Sequence, residues 1–336
     1  MVKNAEINIT LDKMKKIIST IIIVCLTFNF SIAKNWHDYF ILVMDAHEFY
    51  QNEEFNLSGE KFTEAFHLFD GKEVVLDRYF ASYVWTLAKE YDSAFAQLFE
   101  ITKYPYYFDI DELETVPYFD SLKDDLRWNE FINLFKQNKI LLESKMNMEL
   151  VLTLNQVFEN DQKYRGIYEK VGEEKGYKST EAQSLAKKIK AIDKENLKIV
   201  QEILDKHGFL GVEEVGVLGN KALFIVIQHG SLETQEYYLP LLNQAAKDEK
   251  LEPSLVAMLK DRIAIENGNK QIYGTQIGTD PNTGKHYIFP MVDPEEVNFR
   301  RANVRLSPIE NYLANWGLSW DIEEYKKEMK EFLELK

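Results

Sequence analysis

The sequence predicts a mainly α-helical protein, with paired helices in its first half and a helical domain with one small β-hairpin in its second. Three observations predict this fold. Residues 36–138 have helical periodicity, many aromatic side chains and few Gly or Pro. Beyond residue 141 the pattern predicts long amphipathic helices. Only at 271–291 do side chains alternate between the two faces, as in two strands joined by a turn. A chain of 336 residues suggests two domains.

The composition excludes several classes of protein. Hydrophobic residues make up 45% of the chain, too many for a disordered protein. The formal net charge of −15 argues against nucleic acid as a partner, because binding to a phosphate backbone needs clustered Lys and Arg. An apolar stretch long enough to remain as an integral membrane span after maturation is not expected.

The first 33 residues are predicted to be a signal peptide with an N-terminal extension. Met14-Lys15-Lys16 begins a basic segment, 17–28 is mostly apolar, and Ser31-Ile32-Ala33 places small residues where a signal peptidase cuts. Residues 1–13 are then an upstream extension, and whether translation starts at Met1 or Met14 stays open. This pattern predicts a periplasmic or secreted protein.

The cysteine count supports export and limits the chemistry. The single cysteine, Cys25, lies inside the apolar run of the signal and would be removed with it. The remaining chain then has no disulfide, Cys-ligated zinc or Cys nucleophile. His37, His47 and His67 lack the spacing of a metal site. The sequence therefore predicts no metal and no cofactor.

Residues 34–140 contain a spacing of small and large residues that occurs twice. The two sets are Ala46, Phe49, Ser58, Phe62 and Ala65, and then Ser82, Trp85, Ala94, Leu98 and Ile101. This spacing resembles degenerate tetratricopeptide-like repeats, in which small residues let paired helices approach closely. A closing helix is expected to bury Leu122, Leu126, Trp128, Phe131 and Phe135. The resemblance implies a scaffold facing a protein partner or another domain; the alternative is a plain helical bundle without a ligand.

The second domain, residues 141–318, is predicted to begin with five helices. Four have the expected ranges 141–174, 179–206, 233–248 and 253–267, and the third in chain order carries the apolar run at 222–227. His207-Gly208 is expected to end the second of these, which assigns His207 to capping. The six consecutive apolar residues at 222–227 predict a helix buried on all sides, with Gln228 and His229 at its end.

The chain changes character after Gly268. Gln271–Ile277 and Lys285–Met291 are expected to be the two strands of a hairpin. Alternation along the first strand would place Gln271, Tyr273 and Thr275 on one face and Ile272, Gly274 and Gln276 on the other. Asp293-Pro294 is expected to cap a helix carrying Arg300-Arg301, Ser307-Pro308 to open another, and 319–336 to form a charged, exposed helix.

Polar blocks in the second half resemble a bacterial family of unknown function that is often found in exported proteins. The blocks are Asp161-Gln162 with Arg165, Asp193 with Asn196, Val215-Gly216, Gln228-His229, Asp261-Arg262, Gln271 with Tyr273-Gly274-Thr275-Gln276, and Asp293 with Arg300-Arg301. The resemblance covers residues 145–315. It implies no particular activity.

If these blocks converge, they form a polar site. The candidate catalytic residues are His229 and Asp261, and the candidate ligand-binding residues are Asp161, Arg165, Gln228, Arg262, Tyr273, Gln276, Arg300 and Arg301. Guanidinium groups bind carboxylates and phosphates, which suggests an anionic small molecule or peptide. His229 could act as a general base if a carboxylate orients its second ring nitrogen.

Two functions stay open at this point. The favoured one is an exported binding or scaffold module with a polar ligand pocket, and with a possible protein partner through the helical repeats. The alternative is an enzyme with acid–base or hydrolytic chemistry at His229. A His229 ring that is bonded to a carboxylate on one nitrogen and open on the other would favour the enzyme. A ring sealed in the core would leave only the scaffold.

Overall fold

The computed structural model of the chain describes residues 35–69, 71, 74–280 and 284–334. The predicted signal peptide, with Cys25, lies outside the described residues, as do positions 281–283 in the predicted turn. The prediction of a mainly α fold with a small β-hairpin near the C-terminus is confirmed.

Four helices in two consecutive pairs open the described chain. They are α1 at residues 35–51, α2 (Phe55–Phe66), α3 (Val75–Leu87) and α4 (Tyr91–Ile101). Glu53 and Lys89 adopt positive φ angles, 62° and 61°, in the turns that link the two helices of each pair. The small residues of the repeated spacing are buried at the helix contacts: Ala46, Ser58, Ala65, Ser82 and Ala94. The helical pairs match the expectation, while the tetratricopeptide-like character stays a prediction.

One glycine sets the distance between the two pairs. A Cβ atom placed on Gly59 of α2 would lie 2.4 Å from Cε2 of the Trp85 ring on α3. The indole therefore packs flat against the helix backbone, which no larger residue at position 59 would allow.

Shorter elements and a long helix close the first half. These are 3-10 turns at Pro105–Tyr107 and Pro117–Leu122, α5 (Ile110–Thr115) and α6 (Leu126–Glu143). Trp128, Phe131 and Phe135 are buried on α6 as predicted. The expectation for Leu126 was wrong, since it is 86% exposed. It is the first residue of α6, directly after the N-cap Asp125, where the side chain has not reached the inner face.

Five helices form the body of the second half. They are α7 (Met148–Lys175), α8 (Thr180–His207), α9 (Val212–Gln228), α10 (Leu232–Lys247) and α11 (Pro253–Glu266). The predicted helix at 141–174 is in fact divided between α6 and α7, because Asn147 caps α7 by accepting the N–H of Leu150. Ser179 caps α8, and Gly208 ends it at φ 69°, as the His207-Gly208 pattern predicts.

Helix α9 lies at the centre of the main hydrophobic core. Ala222, Leu223, Phe224, Val226 and Ile227 are buried, and Ile225 is half-buried. The helix path is broken at Gly216, whose φ of 72° is not helical. The prediction of a helix buried nearly all round is therefore correct, and its end is the C-cap residue His229.

The hairpin is shorter than predicted. Strand β1 (Ile277–Thr279) pairs antiparallel with β2 (His286–Ile288). Residues 272–276 form a loop, so the predicted alternation of faces from 271 to 277 is wrong. The N–H groups of that loop donate to the Asp261 carboxylate, which prevents them from forming a strand ladder.

Short helices complete the chain. A 3-10 turn at Pro294–Glu296 leads into α12 (Val297–Ala302), followed by α13 (Ile309–Ala314) and α14 (Ile322–Glu334). The predicted capping by Asp293 is wrong, because that residue has φ 35° and its side chain makes no cap hydrogen bond. Helix α14 is mostly exposed as expected, and Tyr325, 4% exposed, attaches it to the hairpin region.

The first four helices pack against the end of the second half. Ala302 joins the hydrophobic cluster that contains Trp36, and the Arg305 guanidinium lies 5.5 Å from the Trp36 ring centroid. The amide of Asn311 also contacts the Met44 sulfur. Among the described helices, none is long and apolar enough to cross a membrane.

Candidate active site

The imidazole of His229 is held by a buried carboxylate. His229 follows the last residue of α9, and its Nδ1 lies 2.9 Å from Oδ1 of Asp161 on α7. The Asp161 side chain is 1% exposed and that of His229 is 19% exposed. The pair therefore joins two packed helices at the edge of the core, with part of the ring still accessible.

Further donors keep Asp161 ionised. Gln162 Nε2 donates to Oδ2 at 2.7 Å, and Arg165 donates through Nε and Nη2 to the two carboxylate oxygens, at 3.3 Å each. Burial alone raises the pKa of Asp161, but the hydrogen bonds and charges of His229 and Arg165 outweigh it and lower the pKa below its ordinary value. Arg165 also donates through Nη2 to Asp193 of α8, which links α7 to α8.

The ionised Asp161 determines which ring nitrogen carries the proton when the His229 imidazole is neutral. Because a carboxylate only accepts hydrogen bonds, Nδ1 of His229 carries the proton and Nε2 keeps its lone pair in the neutral imidazole. Within the described part of the chain, Nε2 has no hydrogen-bond partner. A ring oriented in this way on one nitrogen and open on the other is the arrangement a general base requires.

A polar cavity of about 500 Å³ lies beside the ring. Three cations line it, Arg165, Lys190 and Arg262, together with the acids Glu169 and Asp193. Tyr168, Ala186 and Ile189 supply its less polar wall, and His229 completes it.

Donors remain available in this cavity. Arg262 uses Nε to bind Glu266 at 3.2 Å, and its two terminal nitrogens have no partner among the described residues. Over the same part of the chain, Lys190 Nζ also has none. Both groups can therefore bind a ligand anion.

Asp261, the other candidate catalytic residue, lies in a separate cluster. Its carboxylate is fully buried and accepts the N–H groups of Ile272, Tyr273 and Thr275 and the hydroxyl of Thr275, at 2.6 to 3.1 Å. It is absent from the lining of the His229 cavity. With its oxygens occupied, Asp261 holds a loop in place and has no proton-accepting position left for a substrate.

Arg300 and Arg301 bind the same loop from its carbonyl side. Arg300 Nε donates to the carbonyl of Ile272 at 2.8 Å, and Arg301 Nη1 donates to that of Tyr273 at 2.7 Å. Arg301 is fully buried, and burial lowers its pKa to about 10. The loop backbone thus lies between a carboxylate and two guanidinium groups, and these arginines stabilise the fold rather than line the cavity.

The remaining predicted ligand-binding residues also lie outside the cavity. Gln276 donates to the carbonyl of Met258 and to the Thr275 hydroxyl, at 3.4 and 3.2 Å. Tyr273 belongs to the loop, and burial together with the Asp261 charge raises its pKa. The backbone carbonyl of Gln228 accepts the side-chain amide of Gln235 at 2.9 Å. The structure therefore brings Asp161, Arg165 and Arg262 to His229, and the others do not line its cavity.

The sequence patterns did not predict that Lys190, Tyr168 and Glu169 belong to the site, and Asp193 was named only as part of a block. A helical signal was present. Residues three, four, seven or eight apart share a helix face, so Tyr168 and Glu169 lie on the face of α7 that carries Asp161, and Lys190 lies beside Asp193 on α8.

Together, the fold and the cavity define a helical protein with a carboxylate–histidine pair at the mouth of a polar, partly cationic site. Among the described residues, no group of three or more His, Cys, Asp and Glu is arranged to hold a metal ion.

Residues 149–321 match the family described as Family of unknown function (DUF6624), and the chain belongs to it. The match contains both the His229 cavity and the Asp261 loop. Searches of curated proteins and of solved structures give no match.

Proposed function

We propose that the cavity is an acid–base active site for an anionic small molecule or peptide, with His229 as the general base. One observation carries the proposal: Nδ1 of His229 is bound to the buried Asp161, while Nε2 is open beside the cavity. A positioned base of this kind typically contributes about 10²–10⁴-fold to a rate.

The cations of the lining support an anionic ligand. The chain as a whole has a net charge of −15, yet Arg165, Lys190 and Arg262 outnumber the two acids that line the cavity. Because Arg262 and Lys190 keep donors without partners, they can bind a carboxylate or a phosphate group directly.

The lining also suggests which nucleophile would react. Among the residues that the structure describes, this lining contains no Ser, Thr or Cys. In a hydrolytic reaction Nε2 of His229 would therefore take a proton from water, whose oxygen attacks the substrate, and the imidazolium would return a proton to the leaving group. Asp161 would stabilise the imidazolium through its hydrogen bond to Nδ1.

A second function, ligand binding without chemistry, is supported by the same absence of a side-chain nucleophile from this lining. The N-terminal helical pairs would then serve as a scaffold. Their contacts through Trp36 and Met44 favour a scaffold that faces the second domain, and a protein partner for their outer surface stays a proposal. Export to the periplasm or the medium also stays a proposal, since it depends on residues 14–33.

The test measures anion binding and turnover separately. Wild type, His229→Gln and His207→Gln would be titrated with inorganic phosphate and acetate, and assayed with nitrophenyl phosphate mono- and diesters and nitrophenyl carboxylate esters. His207 is a matched control because it is exposed at the end of α8 and outside the cavity lining.

If the protein is an enzyme, turnover should fall at least about 100-fold in His229→Gln and stay unchanged in His207→Gln. Binding by wild type without turnover of any of these esters would support the binding module instead. If wild type neither binds either anion nor hydrolyses an ester, both functions of the cavity are refuted.

A further inference from the structure

Four charged or ionisable groups form a continuous chain across three helices. His229 after α9 contacts Asp161 on α7, Arg165 on α7 contacts Asp161 one helical turn earlier, and the same Arg165 contacts Asp193 on α8. The guanidinium therefore stands between two carboxylates, and only one of these touches the imidazole.

We propose that Arg165 is a positioning residue that keeps His229 neutral, and that Asp193 controls how strongly it does so. The inference rests on the proposed function, because it concerns how ready His229 is to accept a proton. It assigns Arg165 to this role rather than to ligand binding.

The physical argument starts from Asp161. A lone buried carboxylate beside an imidazole favours the imidazolium and would leave little free base at neutral pH. Arg165 shares the charge of Asp161 and so weakens this effect. Asp193 in turn attracts the guanidinium toward α8, so the compensation of the Asp161 charge at His229 is weaker than Arg165 alone would give.

Other charges also face the ring and must be considered. Glu169 on α7, Lys190 on α8 and Arg262 on α11 line the same cavity, and Arg262 is bound to Glu266. Unlike Arg165, none of these forms a hydrogen bond or an ion pair with Asp161 or His229 in the described part of the chain. Their effect on the ring acts through space and remains in every variant that changes only Arg165 or Asp193.

The proposal predicts shifts of opposite sign. In Arg165→Gln the charge of Asp161 acts on the ring without compensation, so the measured midpoint of the His229 titration should move to higher pH. In Asp193→Asn the guanidinium of Arg165 pairs with Asp161 alone, so the measured midpoint of the His229 titration should move to lower pH. In the double variant the effect of Asp193 should be smaller than when Arg165 is present, because only its through-space action across the cavity is left.

The experiment is a pH titration of the histidine ring signals of the full chain by NMR, with the His229 signal assigned from its loss in His229→Gln. It needs no substrate. Arg127→Gln is the matched control, since Arg127 also lies between two aspartates, Asp92 and Asp125, at 2.7 Å from each, but on α6. It should leave the pKa of His229 unchanged.

Several results would overturn the inference. These are an unchanged or lowered pKa in Arg165→Gln, a raised pKa in Asp193→Asn, or an Asp193 effect of equal size with and without Arg165. If Arg165→Gln does not fold, Asp193→Asn and the charge-conserving Arg165→Lys decide, the latter being expected to move the midpoint only slightly upward. Confirmed shifts in a protein without turnover would refute the proposed function and leave this electrostatic arrangement intact.

Discussion

Replacing Asp261 with Asn should strongly destabilise the second domain. Oδ2 of Asp261 accepts the N–H groups of Tyr273 and Thr275 and the Thr275 hydroxyl, at 3.0 to 3.1 Å. An asparagine presents an NH₂ group to one of the two oxygen positions. If Oδ2 is the atom replaced, the N–H and the hydroxyl of Thr275 both lose their acceptor, while the N–H of Tyr273 keeps Oδ1 at 3.0 Å.

The magnitude follows from those lost bonds. Hydrogen bonds to a charged group contribute about 1.5–3 kcal/mol each, so two lost bonds cost about 3–6 kcal/mol. The buried Arg301, which binds the same loop from its other side, also loses the nearby negative charge that favours its cationic form. A loss of this size is a large part of the stability of a typical domain, about 5–15 kcal/mol.

Urea denaturation followed by circular dichroism would measure the effect. Asp248→Asn is the control, because Asp248 is exposed and accepts only a side-chain hydrogen bond from Gln244; it should change the free energy of unfolding by less than about 0.5 kcal/mol. A loss below about 1 kcal/mol in Asp261→Asn would show that the loop is not held by this carboxylate, and the structural role given to Asp261 would then be wrong.

Two further predictions concern packing and pH. Gly59→Ala should lower the free energy of unfolding by about 1–3 kcal/mol, because the added Cβ would overlap the Trp85 ring. Gly166→Ala is the control: nothing lies near its added Cβ, so it should be neutral or slightly stabilising. Thermal unfolding would compare the two variants, and equal effects would contradict the close contact between α2 and α3. Asp161→Asn should lower stability at pH 7 and progressively less in acid. A carboxyl group whose folded-state pKa is lowered stabilises the fold above its unfolded-state pKa, near 4, and loses that contribution as pH falls through the folded-state value. Urea midpoints from pH 7 to pH 3 would show it, and a constant difference between the two proteins would refute the assignment.

Local patterns in the sequence predicted the helices well. The His207-Gly208 end of α8, the cap at Ser179 and the buried run at 222–227 each depend on neighbouring residues only, and each appears as expected. The break before α7 was missed because the apolar residues continue through 141–152, while a single capping side chain, Asn147, separates the two helices.

The site could be predicted only in part, for a physical reason. Asp161, Arg165 and His229 meet because they lie on packed faces of helices, and helix faces can be derived from sequence spacing. The loop at 272–276 alternates like a strand, yet its N–H groups bind Asp261, an acceptor more than ten residues earlier in the chain. Nothing in the local pattern indicates that competition, so the pattern leaves Asp261 a candidate catalytic residue although it anchors a loop.

The adjacency of Asp261 and Arg262 on α11 has a mechanical consequence. One residue fastens the helix to the loop through four donors, and the next extends toward the cavity. A ligand that pulls on Arg262 therefore works against an anchored helix, so this wall should keep its shape on binding. Adaptation to ligands of different size would fall to α8, which lines the same cavity and where the side chain of Lys190 is exposed and has a long flexible stem.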